Sequence, residues 1–80
     1  MSKAIVGHMY RHYKKETMVY TVVLADALDC ETVEPLVIYR SEYDSPDHPK
    51  GTVWVRSRAD FESSVTLADG TVVDRFTEIP

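Results

Sequence analysis

One cysteine, Cys30, stands among 80 residues, so no internal disulfide staples this small chain. No stretch approaches the roughly 18 apolar residues of a membrane-spanning helix, and no apolar run follows the first basic residue. A membrane role is therefore not expected, and the cytoplasm is the expected compartment. A basic surplus is missing too: 9 Lys and Arg against 13 Asp and Glu give a net charge of -4. That balance argues against non-specific nucleic-acid binding as the main activity, although Arg11, Lys14, Lys15, Arg40, Arg56 and Arg58 can still form a local basic patch. Repeats, low-complexity tracts and linkers are absent, and residues 1–80 read as one domain. A domain of this length buries only about 60–65% of its unfolded surface, so a deep pocket is expected only if a second copy supplies a wall.

What the chain does have is aromatic and β-branched residues set beside cations. Tyr10-Arg11-His12-Tyr13-Lys14 is followed by Leu36-Val37-Ile38-Tyr39-Arg40 and by Trp54-Val55-Arg56. Each run is short and rich in strand formers. Residues 7–13 read as a first strand, with a turn at Lys14-Lys15-Glu16. Residues 18–28 are the longest apolar run, and both of its alternating faces are apolar. Such a strand is buried on both sides or crosses between sheets, while its Ala- and Leu-rich end at 24–28 leaves a helix as the competing reading. Pro35 opens the next strand, over 36–43, and the segment 45–51 is a loop marked by two prolines and a glycine. A short strand at 52–56 precedes a single helical turn at 57–61 with Phe61 pointing inward. The last element is a hairpin about Asp69-Gly70, where a two-residue turn sets Leu67 opposite Val72 and Val65 opposite Asp74. The expected fold class is all-β: a small, partly open barrel of five to six strands, SH3-like, with one short helical turn before the C-terminal hairpin.

Taken in order, Gly7, Tyr10 to Lys14, Tyr20, Val22, Glu31-Thr32, Leu36 to Arg40, Tyr43, Trp54-Val55-Arg56, Phe61, Gly70 and Arg75-Phe76 carry a resemblance. The chain resembles the bacterial domain-of-unknown-function family 1653 over residues 7–76. The resemblance implies a small bacterial domain; it implies no reaction, so it transfers no catalytic residue. Departures from the family pattern fall at Lys15, where Gly is usual, at Asp29, where His is common, and at Ser57-Arg58, which replaces Pro-Leu. Cys30 stands where Ser is common, and the loop at 44–50 is longer than usual.

Metal and catalytic chemistry find little support in the spacing. His8 and His12 are four apart, which on a strand separates them by about 13 Å, too far to share an ion. His48 and Cys30 lie in separate loops, and no metal or other cofactor is called for. Nucleophilic catalysis needs a nucleophile beside an oriented base, and only Cys30, Glu31 and His12 offer the residue types. Recognition is the sharper reading. On strands alternate residues share a face, which groups Tyr10, His12 and Lys14, Ile38 with Arg40, and Trp54 with Arg56. Tyr10, His12, Arg40, Trp54 and Arg56 are accordingly the candidate binding residues: aromatic platforms for a ring beside cations for a carboxylate or phosphate. The competing reading makes the Tyr and Trp rings core filler and pairs the arginines with Glu31, Glu42 or Asp60, with a His12–Glu31 or Arg56–Glu31 pair as an internal polar network.

Three functions follow. The first is a non-catalytic binding or adaptor module for an anionic or aromatic ligand: a nucleotide, single-stranded nucleic acid or a peptide. The second is a structural protein that forms a homodimer or joins a complex through an exposed strand edge. The third is a minimal enzyme with His12 as general acid or base. The first predicts salt-sensitive binding that is lost in both Arg56→Ala and Arg40→Ala.

Overall fold

The computed structural model describes residues 3–80. Seven strands and one helical turn follow in order: β1 (Met9–His12), β2 (Val19–Leu28), β3 (Pro35–Ser41), β4 (Val53–Ser57), α1 (Arg58–Phe61), β5 (Ser64–Thr66), β6 (Val72–Asp74) and β7 (Phe76–Ile79). Five of them form one antiparallel sheet in the order β4-β3-β2-β1-β7, and β5 pairs with β6 as a separate hairpin. The mostly β expectation holds, as does the single helical turn with Phe61 inward. The barrel does not form in closed shape: β4 and β7 are the two edges, and no ladder joins them among the described residues.

Alternation along the strands decides which side chains meet. Tyr10 pairs with Tyr20, Val22 with Tyr39, Tyr39 with Trp54, and His12 with Phe76. These residues share the inner face with Val37, Ser41 and Arg56. Phe61 closes over one half of that face. It stacks on Phe76 with ring centroids 4.1 Å apart and planes 7° from parallel, and meets Tyr10 and Tyr39 edge-on at 5.3 and 5.5 Å. Tyr10, Val37, Phe61 and Phe76 are fully buried, so the core is built mainly from rings. A buried aromatic removes 150–250 Å² from water and gains further from edge-to-face geometry, which suits a chain with few residues to spend on a core.

β2 resolves its own ambiguity. Register shifts fall between Val22 and Leu24 and between Leu24 and Ala27. Tyr20 and Val22 are buried, but after the first shift the inward phase passes to Ala25 and Leu24 turns outward. Two apolar faces in sequence are thus one inner face with a bulge in it, and the segment 24–28 is strand rather than helix.

α1 starts where the Ser57 side chain accepts the Asp60 N–H at 3.1 Å, the reason a polar Ser-Arg-Ala-Asp stretch makes a turn of helix. Its cap residue Glu62 holds Arg58 at 3.2 Å and accepts the Ala4 N–H at 2.8 Å, tying the N-terminal segment down. The terminal hairpin differs from expectation by one residue. Val65 faces Val73 and Ser64 faces Asp74, and the Leu67 N–H reaches the Thr71 carbonyl at 2.7 Å. The connection is therefore a three-residue loop, with Gly70 at φ +88° supplying the left-handed position of a bulged turn.

Candidate functional site

α1, at four residues, is too short to cover a five-stranded sheet. The uncovered half of the inner face, walled by the returning 44–51 loop, is a cleft of about 310 Å³. Its floor is Tyr20, Tyr39 and Phe76, whose rings meet edge-on at 5.1 to 5.8 Å. Tyr43 and Trp54 form walls; the Tyr20 and Tyr43 hydroxyls lie 3.0 Å apart, and burial together with that bond raises the Tyr20 pKa, keeping the phenol neutral. His48, brought in by the proline loop, packs edge-on against Trp54 at 4.8 Å. The Trp54 Nε1 is sealed from solvent and has no hydrogen-bond partner among the described residues.

The cations of the lining are Lys14 and Arg56, and no carboxylate lines the cleft among the described residues. Arg56 is held on three sides. Its guanidinium carbon lies 5.4 Å from the centre of the Phe76 ring, its Nε donates to the Tyr39 hydroxyl at 3.3 Å, and its Nη1 donates to Asp60 at 2.5 Å. Asp60 also pairs with Arg75 at 3.5 Å, so one carboxylate serves two guanidinium groups.

His12 and Ser41 are the buried polar residues of the lining, and His12 is the titratable one. The His12 Nδ1 accepts the Lys14 N–H at 3.2 Å, which puts the proton of the neutral ring on Nε2. Burial first, and then the charges of Arg56, Lys14 and Arg75, pull its pKa down to about 4. At neutral pH the ring is an uncharged hydrogen-bond donor packed edge-on against Phe76 at 5.0 Å.

Of the five residues expected to bind, the structure brings His12, Trp54 and Arg56 to one cleft. Tyr10 shares their face but lies in the core under Phe61, where its hydroxyl donates to the Lys3 carbonyl and accepts the Ile5 N–H. Arg40 lies on the opposite face of the sheet, paired with Glu42 at 3.1 Å, because Tyr39 and not Arg40 stands across from Trp54. Among the described residues the acids that pair with the arginines are Glu42, Asp60 and Glu62; Glu31 sits in the exposed turn capped by Asp29 and joins no network with His12 or Arg56 there. His8 and His12 are likewise apart in role, His8 pairing with Glu78 at 2.8 Å, and no group of three metal-ligating side chains occurs among the described residues. Tyr20, Tyr43 and His48 were not expected at the site. Alternation within a strand does not relate Tyr20 on β2 to Tyr39 on β3, whose common face follows only from the β2–β3 register, and nothing in a Ser-Pro-Asp-His-Pro loop foretells that it folds back on Trp54.

No helix among the described residues is long and apolar enough to cross a membrane. No curated protein and no solved structure matches the chain. A family model does match, over residues 8–78, which takes in β1 to β6, all of β7 but Ile79, and every residue of the cleft lining. The chain belongs to the family of proteins of unknown function designated DUF1653.

Proposed function

We propose that this protein is a non-catalytic binding module whose cleft takes a small ligand with a planar ring and an anionic group, of about the size of a nucleotide. The observation that carries the reading is the lining itself: tyrosine, tryptophan and phenylalanine rings beside Lys14 and Arg56, with no acid among the described lining residues of a chain whose net charge is -4. An aromatic cage for a quaternary ammonium group needs the reverse electrostatics, and here Arg56 already occupies the face of Phe76. A volume of about 310 Å³ lies at the small end of ligand pockets, which run from about 300 to 1,000 Å³, and fits one ring and its substituent. Acid–base catalysis by His12 is disfavoured because a ring with a pKa of about 4 is a weak base at neutral pH.

The test is an amide-correlation NMR titration with the four mononucleotides at low salt, read at the Trp54 indole and the Arg56 Nε signals. Both signals shift together and return on adding salt if the reading is right. Lys14→Ala then weakens binding, while Arg40→Ala, on the opposite face, leaves it unchanged. No shift at millimolar ligand, or equal losses in the two variants, refutes it.

A second reading, self-association through an edge, has its own observation. β4 is an edge strand whose Val53 and Val55 are 62% and 60% exposed, and Val55 continues a row with Ile38 and Leu24 across the outer face. Light scattering distinguishes the two: a dimer that Val55→Lys dissociates supports this reading, and a monomer at high concentration removes it.

A further inference from the structure

A second cleft, of about 220 Å³, lies on the other side of the β1–β2 turn and shares His12 with the first. Arg11, Tyr13, Lys15, Glu16 and Thr77 complete its lining. Lys14 lines the first cleft, Tyr13 and Lys15 line the second, and His12 lines both. The Tyr13 ring leans on the His12 ring at 4.7 Å with planes 32° apart, so a continuous aromatic ridge separates the two spaces. Arg11 sends its Nε to the Glu16 backbone carbonyl at 3.1 Å, and neither Arg11, Lys14 nor Lys15 makes an ion pair among the described residues. Arg11, Lys14 and Lys15, without ion pairs among the described residues, stand against Glu16 alone within residues 11–16 and make this turn locally positive on an acidic chain.

We infer that the two clefts are adjacent subsites for one single-stranded nucleic acid, with a base in the first, the phosphodiester over the His12–Tyr13 ridge beside Lys14 and the next nucleotide in the second. The inference rests on the nucleotide-sized reading of the first cleft and extends it from a monomer to a chain. A polyanion that repeats one ring and one charge per unit matches a surface that repeats an aromatic wall and a lysine on each side of a ridge. Sequence-tolerant stacking and backbone charge are the two interactions that single strands use on such surfaces. An acidic peptide offers the charges without the rings, and the second ring wall, Tyr13, then has no role.

The experiment compares AMP with the 5′-phosphorylated dinucleotide pApA on the intact protein, wild type and Lys15→Ala, by titration at several salt concentrations. Lys15 is exposed and makes no ion pair among the described residues, so its removal spares the fold. The expected result is at least tenfold tighter binding of pApA than of AMP. Its salt dependence is steeper by about 0.7 in logarithmic slope for the one added phosphate. Lys15→Ala brings pApA back toward the AMP affinity and leaves AMP unchanged. If AMP shifts the Trp54 signal but pApA binds no tighter, or Lys15→Ala changes nothing, the second subsite is refuted and the first cleft stands. If neither nucleotide binds, the reading of the first cleft fails and takes this one with it. A hexaglutamate peptide that binds with the same Lys15 dependence overturns the choice of nucleic acid.

Discussion

Burying His12 between three cations ties folding stability to pH in a window where few other groups titrate. In the unfolded chain its imidazole takes a proton near pH 6.5; in the folded protein it does so only near pH 4. Between those values the unfolded state binds more protons, so stability is at full strength above pH 6.5 and falls as the pH drops toward 4. Each unit is worth about 1.4 kcal/mol, so lowering the pH from 6.5 to 5 costs roughly 2 kcal/mol. An 80-residue domain has a total of about 4–12 kcal/mol to lose, which makes the effect large. The carboxylates held low in the folded state, Glu42 by Thr21 and Arg40, and Asp29 and Asp69 by backbone N–H groups, act in the same direction but only below their unfolded values near 4. The assay is urea denaturation at half-unit steps from pH 7.5 to 4.5, run beside His12→Asn, whose side-chain oxygen can accept the Lys14 N–H in place of Nδ1. Wild type loses stability steeply below pH 6.5, and the variant is nearly flat down to pH 5. Equal slopes in the two proteins, or an imidazole proton resonance of His12 that titrates near 6.5, refute the reasoning.

Other substitutions probe the core and the turns. Phe76 touches Phe61, Tyr20, Tyr39, His12 and Arg56 at once, so Phe76→Ala costs about 3–5 kcal/mol in chemical denaturation; a loss under 1 kcal/mol shows the ring cluster is not the core. Val33 holds φ +60°, a left-handed conformation that burdens a β-branched residue, and its side chain is 64% exposed. Val33→Asn is therefore expected to stabilise by about 1 kcal/mol, read as a higher urea midpoint; an unchanged or lower midpoint contradicts the strain.

Period-two alternation made much of the sheet legible, and its limits are equally physical. It correctly grouped Tyr10 with His12, Ile38 with Arg40, and Trp54 with Arg56. It could not say which group faces inward on β3, because Leu36 and Ile38 are as apolar as Val37 and Tyr39; only the pairing of Tyr39 with Val22 and Trp54 decides that, and it sends Arg40 outside. The same limit hid the bulge in β2, since an inserted residue changes the phase without changing the composition. Asp69-Gly70 announced a hairpin, but the dipeptide fits a two-residue and a three-residue loop alike, and one residue of register followed from that. Tyr10 lies in the core because Phe61 docks on it, a contact between residues 51 apart that no local pattern encodes.

The cleft exists because the cover is short. A four-residue helix sends Phe61 onto Tyr10, Tyr39 and Phe76 but leaves Tyr20, Tyr43 and Trp54 to the loop at 44–51. Arg56 stands on the boundary, bonded to Asp60 of the cover and to Tyr39 of the floor while it lines the cleft. Its removal must therefore act twice. Arg56→Ala leaves the Tyr39 hydroxyl without its guanidinium partner and Asp60 with Arg75 alone, at a cost of about 1–3 kcal/mol of stability, and deprives an anionic ligand of a charged donor, weakening binding by about 10- to 100-fold. Lys14 lines the cleft from an exposed turn and its side chain makes no ion pair among the described residues, so at pH 7, where His12 is neutral, Lys14→Ala changes affinity and spares stability. Measuring both variants by urea midpoint and by ligand titration separates site from scaffold. If Lys14→Ala binds normally and Arg56→Ala loses only stability, the aromatic and cationic face is architecture, and the edge at β4 becomes the surface to pursue.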